Sequence, residues 1–310
     1  MMATPSAPHS LDFRDATTGD WPLAVEIVAG TWDTSDYIEE HVWQHWIDSL
    51  ETRLIAAEQD GKMVAFCRLQ ETGPAEWWLH NVQVNPFYTD HGIEDRLLSH
   101  MIDLFLEEGH GILRSAVEGS NEDEQRRLRE YGFRHTVSYA QIEAKTKPGD
   151  LGSFRLLNAA NLEMTHRYLL HSPMHRVNKF AEHYQILYNL TRDRLESYLA
   201  DPTVQVIGWR QFEQLLGLAI LFLQPPIEQS NPPSALYIGY LDAPDDTSLI
   251  AMLTALRGLG ARRELDKIAW KMPLGVGLEA PLRQEPELER VFPQDFRLFE
   301  RPFSRIVQQP

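Results

Sequence analysis

The chain has one cysteine, few basic residues and no long apolar run, and each shortage excludes a class of protein. A lone thiol, Cys67, forms no internal disulfide and builds no cysteine-rich zinc or iron–sulfur site. Lys and Arg number 29 against 45 Asp and Glu, for a net charge of −16. Neutralising phosphates takes a cationic surface, so neither nucleic acid nor an anionic membrane is an expected partner. The longest apolar stretch, Leu215–Leu223, is strand-sized and falls well short of the ~18 residues of a membrane span. The opening MMATPSAPHS lacks a charged segment leading into an apolar one. No signal peptide is therefore expected, and the expected location is cytoplasmic. Eight Trp, thirteen Phe and ten Tyr in 310 residues supply the apolar material for a packed interior. At roughly 100–200 residues per domain, that length predicts about two domains.

Hydrophobic periodicity orders the first half. Residues 1–10 read as a loose tail and Leu11–Ala16 as a strand. Asp20 is placed to cap a helix carrying Pro22 in its first turn, with Trp21, Val25, Val28 and Trp32 at helical spacing. A second helix is expected from Ser35 and Asp36, with Ile38, Val42, Trp46 and Leu50 four apart. Arg53–Glu58 and Met63–Gln70 then read as two extended runs joined through Asp60-Gly61, a dipeptide suited to a tight hairpin. Trp77–Val84 is an apolar strand stopped by Pro86, and Ile93, Leu97, Met101, Ile102 and Phe105 mark an amphipathic helix. A strand at Gly111–Val117, a charged helix at Asn121–Tyr131 and a strand opened by Gly132-Phe133 complete this half, before the linker-like KTKPGD at 145–150. The second half repeats the order. Asn161–Leu199 is helical in pattern, Val204–Trp209 and Leu215–Leu223 form a hairpin, and a Pro-rich connector occupies 225–233. A strand (Ala235–Leu241), a helix (Leu249–Leu259), a strand (Ile268–Lys271) and an extended segment from Phe292 to Val307 follow. Pro244 follows Pro86 by 158 residues and Phe292 follows Phe133 by 159, the spacing expected of a duplicated domain. The expected domains are 11–147 and 148–310.

Residues 82–98, VQVNPFYTDHGIEDRLL, carry the informative motif. An apolar strand enters a short polar loop holding Gly92, and a helix starts at once. Such a corner aims backbone N–H groups and the positive end of the helix dipole into the loop, where a pyrophosphate fits. Glycine at 92 allows close approach because no Cβ intervenes. A plain strand–turn–helix corner has the same pattern.

The stretch resembles the acetyl-CoA-binding motif of the GCN5-related N-acetyltransferase (GNAT) superfamily, Val-x-Pro-x-x-Gln/Arg-x-x-Gly-x-Gly/Ala ahead of Leu-Leu. Val84, Pro86, Gly92, Leu97 and Leu98 stand in register. A second family motif, Asn-x-x-Ala followed by Gly-Phe, is met by Asn121 and Gly132-Phe133. The element order of residues 11–144 is also the family's. The resemblance implies an α/β (mixed α+β) protein of two tandem GNAT folds, each a mostly antiparallel central sheet flanked by helices, the second degenerate. It implies acetyl-CoA as cosubstrate, no metal, and transfer of an acetyl or other acyl group to the amine of a small molecule or peptide. The implied cofactor-binding residues are Val82, Gln83, Val84, Thr89, His91, Gly92, Ile93, Glu94 and Asn121.

Departures from the pattern favour a rival reading, a non-catalytic GNAT-fold protein that binds another ligand or a protein. Thr89 stands where the family has Gln or Arg, Glu94 replaces a small residue, and Glu124 another. Leu128 takes the place of the Tyr that protonates the departing thiolate in many members. In the second half the equivalent loop is DDTS, with Ile250 opposite Gly92, and Asp245 and Asp246 placed to cap the helix that follows.

Acyl transfer from a thioester needs a neutral amine, a polarised carbonyl and a proton for sulfur. The resemblance places the carbonyl on a backbone N–H around Val82–Val84. His80 shares strand parity with Val82 and Val84, making it the candidate base. Tyr131, near the missing Tyr position, is the candidate acid; His80 as a bonded strand-end residue and Tyr131 as a packing residue are the plain alternatives. The pairs His41/His45 and His171/His175 have the i, i+4 spacing of metal ligands but no third ligand, and EDEQRRLR at 122–129 reads as a solvated helix face. Edge strands of this fold pair between subunits, so a homodimer is a possible assembly.

Overall fold

The structure is a computed structural model and describes residues 10–31, 38–183, 186–211, 214–223, 235–275 and 287–303. The elements in order are β1 (Leu11–Asp15), α1 (Trp21–Thr31), α2 (Glu40–Asp48), β2 (Thr52–Gln59), β3 (Lys62–Gly73), β4 (Glu76–Leu79) and β5 (Gln83–Val84). Then come α3 (Ile93–Glu107), β6 (Ile112–Glu118), α4 (Glu122–Glu130), β7 (Arg134–Lys145) and β8 (Phe154–Leu156). The second half continues with α5 (Leu162–His171), α6 (Pro173–Val177), β9 (Phe180–His183), β10 (Ile186–Asn189), α7 (Arg192–Ala200), β11 (Val204–Gln211) and β12 (Gln214–Phe222). It closes with β13 (Ala235–Asp242), α8 (Asp246–Arg262), β14 (Lys267–Pro273) and β15 (Leu288–Pro302).

Two compact units form, and neither is a contiguous half of the sequence. Unit 1 holds residues 1–117, 122–135 and 299–310, and unit 2 holds 118–121 and 136–298. The sequence boundary placed at 147/148 lies inside unit 2. Thus most of β7 serves unit 2, and the last residues of β15 serve unit 1.

In unit 1 the sheet runs β1-β2-β3-β4-β6 and ends on the tip of β15. The hairpin between β2 and β3 turns at Asp60 and Gly61, both at positive φ (54° and 76°), as the sequence predicts. One sheet face packs on α3 through Ile93, Leu97, Met101 and Phe105. The other packs on the first two helices around Trp43, which is buried, donates its indole N–H to Thr17 O (2.9 Å) and sits edge-on to Phe66. The expected helix start at Ser35 and Asp36, and all but Ser10 of the expected tail, lie outside the described residues.

In unit 2 the order is β7-β14-β13-β12-β11-β8, with only β13 and β14 parallel. One face carries α8 and the other carries α5 and α7. The expected helical run 161–199 is corrected: α5 and α6 occupy its first part, β9 and β10 form an antiparallel hairpin, and α7 follows. Ser172-Pro173 and Asn178 interrupt the helical backbone, and the apolar residues beyond them are spent on a strand pair lying on the sheet. The Pro-rich connector lies outside the described residues.

Candidate active site

Strands β4 and β6 make a fork. They pair in parallel from Glu76↔Ile112 to Trp78↔Arg114 and no further, although β6 runs on to Glu118. The cause is a bulge. Leu79 faces Leu69 on β3, but Gln83, four residues on, faces Phe66, only three back. His80, Asn81 and Val82 absorb the extra residue, which splits the single strand expected over Trp77–Val84 and keeps the chain on β3 while it parts from β6. Val82 and Gln83 are half-buried and Val84 is buried beside the α3 core.

From the fork the chain enters the loop. Asn85 turns it by accepting Phe87 N–H on its side-chain oxygen (3.1 Å), and a short 3-10 turn spans Pro86–His91. Thr89 is exposed and donates its hydroxyl to Pro86 O (3.2 Å). The side chain of His91 lies outside those described. Gly92 is left-handed (φ 66°, ψ 20°), stands at the N-terminus of α3 without a side-chain cap, and faces open space where a Cβ would be. An L side chain there costs about 1–2 kcal/mol. The first-turn N–H groups of a helix have no intrahelical acceptor, and α3 starts at Gly92 with no side-chain cap, at the corner where the sequence reading expects an anion. Ile93 points inward, 2% exposed.

The acidic residues around this corner are drawn together on Arg127. Its guanidinium pairs with Glu94 and Glu124 and, through Nε, with Asp95 at 3.2 Å. Glu94 is thereby directed toward α4. Burial, and after it the neighbouring Glu94 and Asp95, push the Glu124 carboxyl up, while Arg127 pulls it down. The expected solvated face of α4 is therefore only half solvated: Asp123 and Arg126 pair in the open, whereas Glu124 and Arg127 turn to α3. Leu128 is buried in the core and Asn121 is exposed at the start of α4.

Both candidate proton carriers are bonded. His80 Nδ1 lies 3.2 Å from Arg68 Nη2, and Nε2 lies 3.3 Å from Gln70 Oε1. Arginine only donates, so Nδ1 accepts and the ring carries its proton on Nε2. Burial first, then the Arg68 charge, hold the His80 pKa well below 6.5. The Arg68 guanidinium itself lies 4.0 Å over the Trp46 ring. Tyr131 donates its hydroxyl to Asp95 O (2.9 Å), and burial followed by Asp95 raises its pKa. The Arg127 cluster and the Arg68–His80 bond escape sequence reading because their partners lie on other elements; only the Glu124/Arg127 spacing gave a local sign.

Elsewhere in unit 1 a wide cavity of about 590 Å³ is lined by Trp21, Glu39, Glu40, His41 and Gln44, none of them in the fork or the Gly92 loop. His41 Nδ1 pairs with Glu39 at 3.2 Å. Among the described residues no group of three or more His, Cys, Asp or Glu side chains could hold a metal, and no helix is long and apolar enough to cross a membrane.

Residues 12–133, which contain the fork, loop and α4, match the acetyltransferase (GNAT) family model. Over nearly its whole length the chain superposes on a GCN5-related N-acetyltransferase from Sphaerobacter thermophilus (TM-score 0.66, 13% identity, 94% of this chain and 96% of that one). It superposes likewise on a tandem GNAT protein from the clavulanic acid biosynthesis pathway (0.60, 11%, 95% and 99%). The chain is a tandem GNAT-fold protein. A third solved structure with this fold is an acetyltransferase assigned from Thermoplasma acidophilum (TM-score 0.54, 14% identity, 94% and 99%). Among curated proteins none matches the sequence. The segment that matches the GNAT family model carries Gly92, and the tandem fold accounts for the repeated element order.

Proposed function

We propose that the protein transfers an acyl group, acetyl in the simplest case, from acetyl-CoA to the amine of a small molecule or peptide, with the reaction in unit 1. The observation that carries this reading is the fork ending in a left-handed, uncapped Gly92 inside the GNAT-family segment. The residues fit the donor: the fork leaves a slot for an extended arm, and the open space at Gly92 leaves room for its phosphates. Bound there, the thioester supplies an activated acyl carbon. Backbone N–H groups at Val82–Val84 hold its carbonyl oxygen, the amides of Gly92, Ile93 and Glu94 receive the pyrophosphate, and Thr89 borders it from the same loop. Arg127 occupies the Glu94 and Glu124 carboxylates and so reduces their repulsion of phosphate.

The amine attacks the acyl carbon, the carbon–sulfur bond breaks, one amine proton goes to a base and the departing sulfur gains a proton. His80 is the candidate acceptor and Tyr131 the candidate donor. Each gives up one bond to act, His80 that from Arg68 and Tyr131 that to Asp95 O. The cavity lined by Trp21, Glu39 and Glu40 offers an indole and two carboxylates, a setting for a cationic amine. Calorimetry with acetyl-CoA, followed by thiol release with a panel of amines, tests the reading. Saturable binding by the native chain, weakened at least tenfold in Gly92→Val, is the expected result; no binding at millimolar acetyl-CoA overturns it.

A further inference from the structure

Unit 2 repeats the fork. Strands β13 and β14 pair in parallel from Ala235↔Lys267 to Ile238↔Trp270 and then stop, as β4 and β6 do. The first residues past the last pair are Gly239 on one strand and Lys271 on the other. Both are taken by one residue of the β9–β10 hairpin. The Glu182 carbonyl oxygen lies 2.5 Å from where a Cβ on Gly239 would be, so the β9 backbone rests on the β13 backbone at a place only glycine leaves free. The Glu182 carboxylate pairs with Lys271 at 2.5 Å, with both side chains almost fully buried.

The hairpin is fastened around that residue. Leu190 N–H bonds to Lys179 O (2.8 Å) across its base, and Asn178, just before it, accepts the buried Tyr139 hydroxyl from β7 (2.9 Å). The His183 ring stacks on Phe222 of β12 with centroids 4.0 Å apart. Farther along β13, Tyr240 and Asp242 are also occupied. The Asp242 carboxylate accepts the hydroxyls of Tyr168, Ser172 and Tyr240 at 2.8, 2.5 and 2.8 Å. At the helix that follows, Asp245 stands at the N-cap and accepts Ser248 N–H on its own carboxylate (2.8 Å). Where α3 has a bare glycine, α8 has an internal anion.

We infer that unit 2 has given its donor site over to its own chain. The β9–β10 hairpin closes the fork and Asp245 fills the helix N-terminus, so the protein takes one acyl-CoA per chain, in unit 1. Opening the fork would have to part this buried ion pair, and removing one partner leaves the other charged and buried. The donor count rests on the proposed function; the closure of the fork does not.

The test uses the full chain in two arms. Calorimetry with acetyl-CoA is expected to give one equivalent per chain. Hydrogen exchange at saturation is expected to slow in peptides covering 83–96 and 113–118, with no change in 239–249. Two equivalents, or slowing in 239–249, overturns the inference and leaves a donor site in unit 1 standing if 83–96 also slows. No binding at all overturns the proposed function and the donor count with it. The ligand-free arm then decides the closure. Amides 180–189 are expected to exchange as slowly as β13 in the native chain and at least tenfold faster in Lys271→Ala, with Glu182→Ala as the second variant. A hairpin that already exchanges freely in the native chain, or one that neither variant affects, overturns the closure.

Discussion

The two forks begin alike and end differently. Each is a short parallel ladder that breaks before a loop and a helix. In unit 1 the break leads to Gly92, where a side chain is missing and α3 starts without a side-chain cap. In unit 2 it leads under Glu182 and on to Asp245, which supply backbone, carboxylate and cap from within. A fold can therefore keep its shape after its binding site is lost, provided the exposed polar groups find partners in the chain. The distribution of acid follows the same logic. Around α3 three carboxylates are gathered by Arg127, whereas at α8 Asp245 is itself the ligand.

The comparison can be broken most severely at the closing strand of unit 1. Arg114, 2% exposed at its side chain, bonds Glu300 through Nε (2.7 Å) and pairs with Glu76 at 3.3 Å. Arg114→Ala leaves two partly buried carboxylates without their cation and should cost about 3 kcal/mol, read as a lower thermal midpoint and faster amide exchange in unit 1 but not in unit 2. Next comes Gly92→Val, which combines strain at positive φ of about 1–2 kcal/mol with a blocked corner. Acetyl-CoA affinity should fall at least tenfold in calorimetry.

Acid offers a third contrast. Burial first, then Lys179 and His166, lower the His175 pKa from 6.5 to about 4 in unit 2. Between those values the unfolded imidazole holds more proton than the folded one, so stability drops as pH falls from 6.5 toward 4 and His175 adds no further loss below. The Asp242 carboxyl, raised by burial, opposes this at the acid end. Denaturation midpoints against pH should show the slope, and His175→Gln should flatten it. Asp245→Ala should destabilise unit 2 by about 1 kcal/mol through the lost cap and leave acetyl-CoA affinity unchanged. The smallest effect is expected from Glu94→Gln. With one carboxylate fewer on Arg127, acetyl-CoA should bind two- to threefold more tightly; weaker binding would show that Glu94 itself contacts the donor.

Much of this was legible in the sequence because local rules governed it. Short apolar runs located β2 and β3, Asp60-Gly61 their turn, and the spacing from Ile93 to Phe105 gave α3. Gly92 and Asp245 were placed by the chemistry of helix starts, which depends on a few neighbouring residues. The bulge at His80–Val82 was hidden, since an extra residue in one strand shows only against its partner. So was the β9–β10 hairpin, whose apolar residues also fit a helical spacing and whose partners Gly239 and Lys271 lie far along the chain. Arg127 was read as solvated because nothing near it in sequence announces that α3 brings Glu94 and Asp95 to it. His80 and Tyr131 were picked by parity and proximity, which say nothing about the Arg68 and Asp95 groups that hold them.

Unit 1 is finished by residues 299–303: Glu300 meets Arg114, Phe299 lies in the core, and Phe303 N–H bonds to Gly111 O. A ribosome therefore delivers the helices and first strands of this unit long before the strand that seals them, with all of unit 2 made in between. During synthesis the edge of β6 must wait unpaired, which makes it the place where the nascent protein is most open to chaperones or to pairing with a neighbouring chain. Separating the halves at the middle of the sequence would leave the catalytic candidate permanently in that unfinished state.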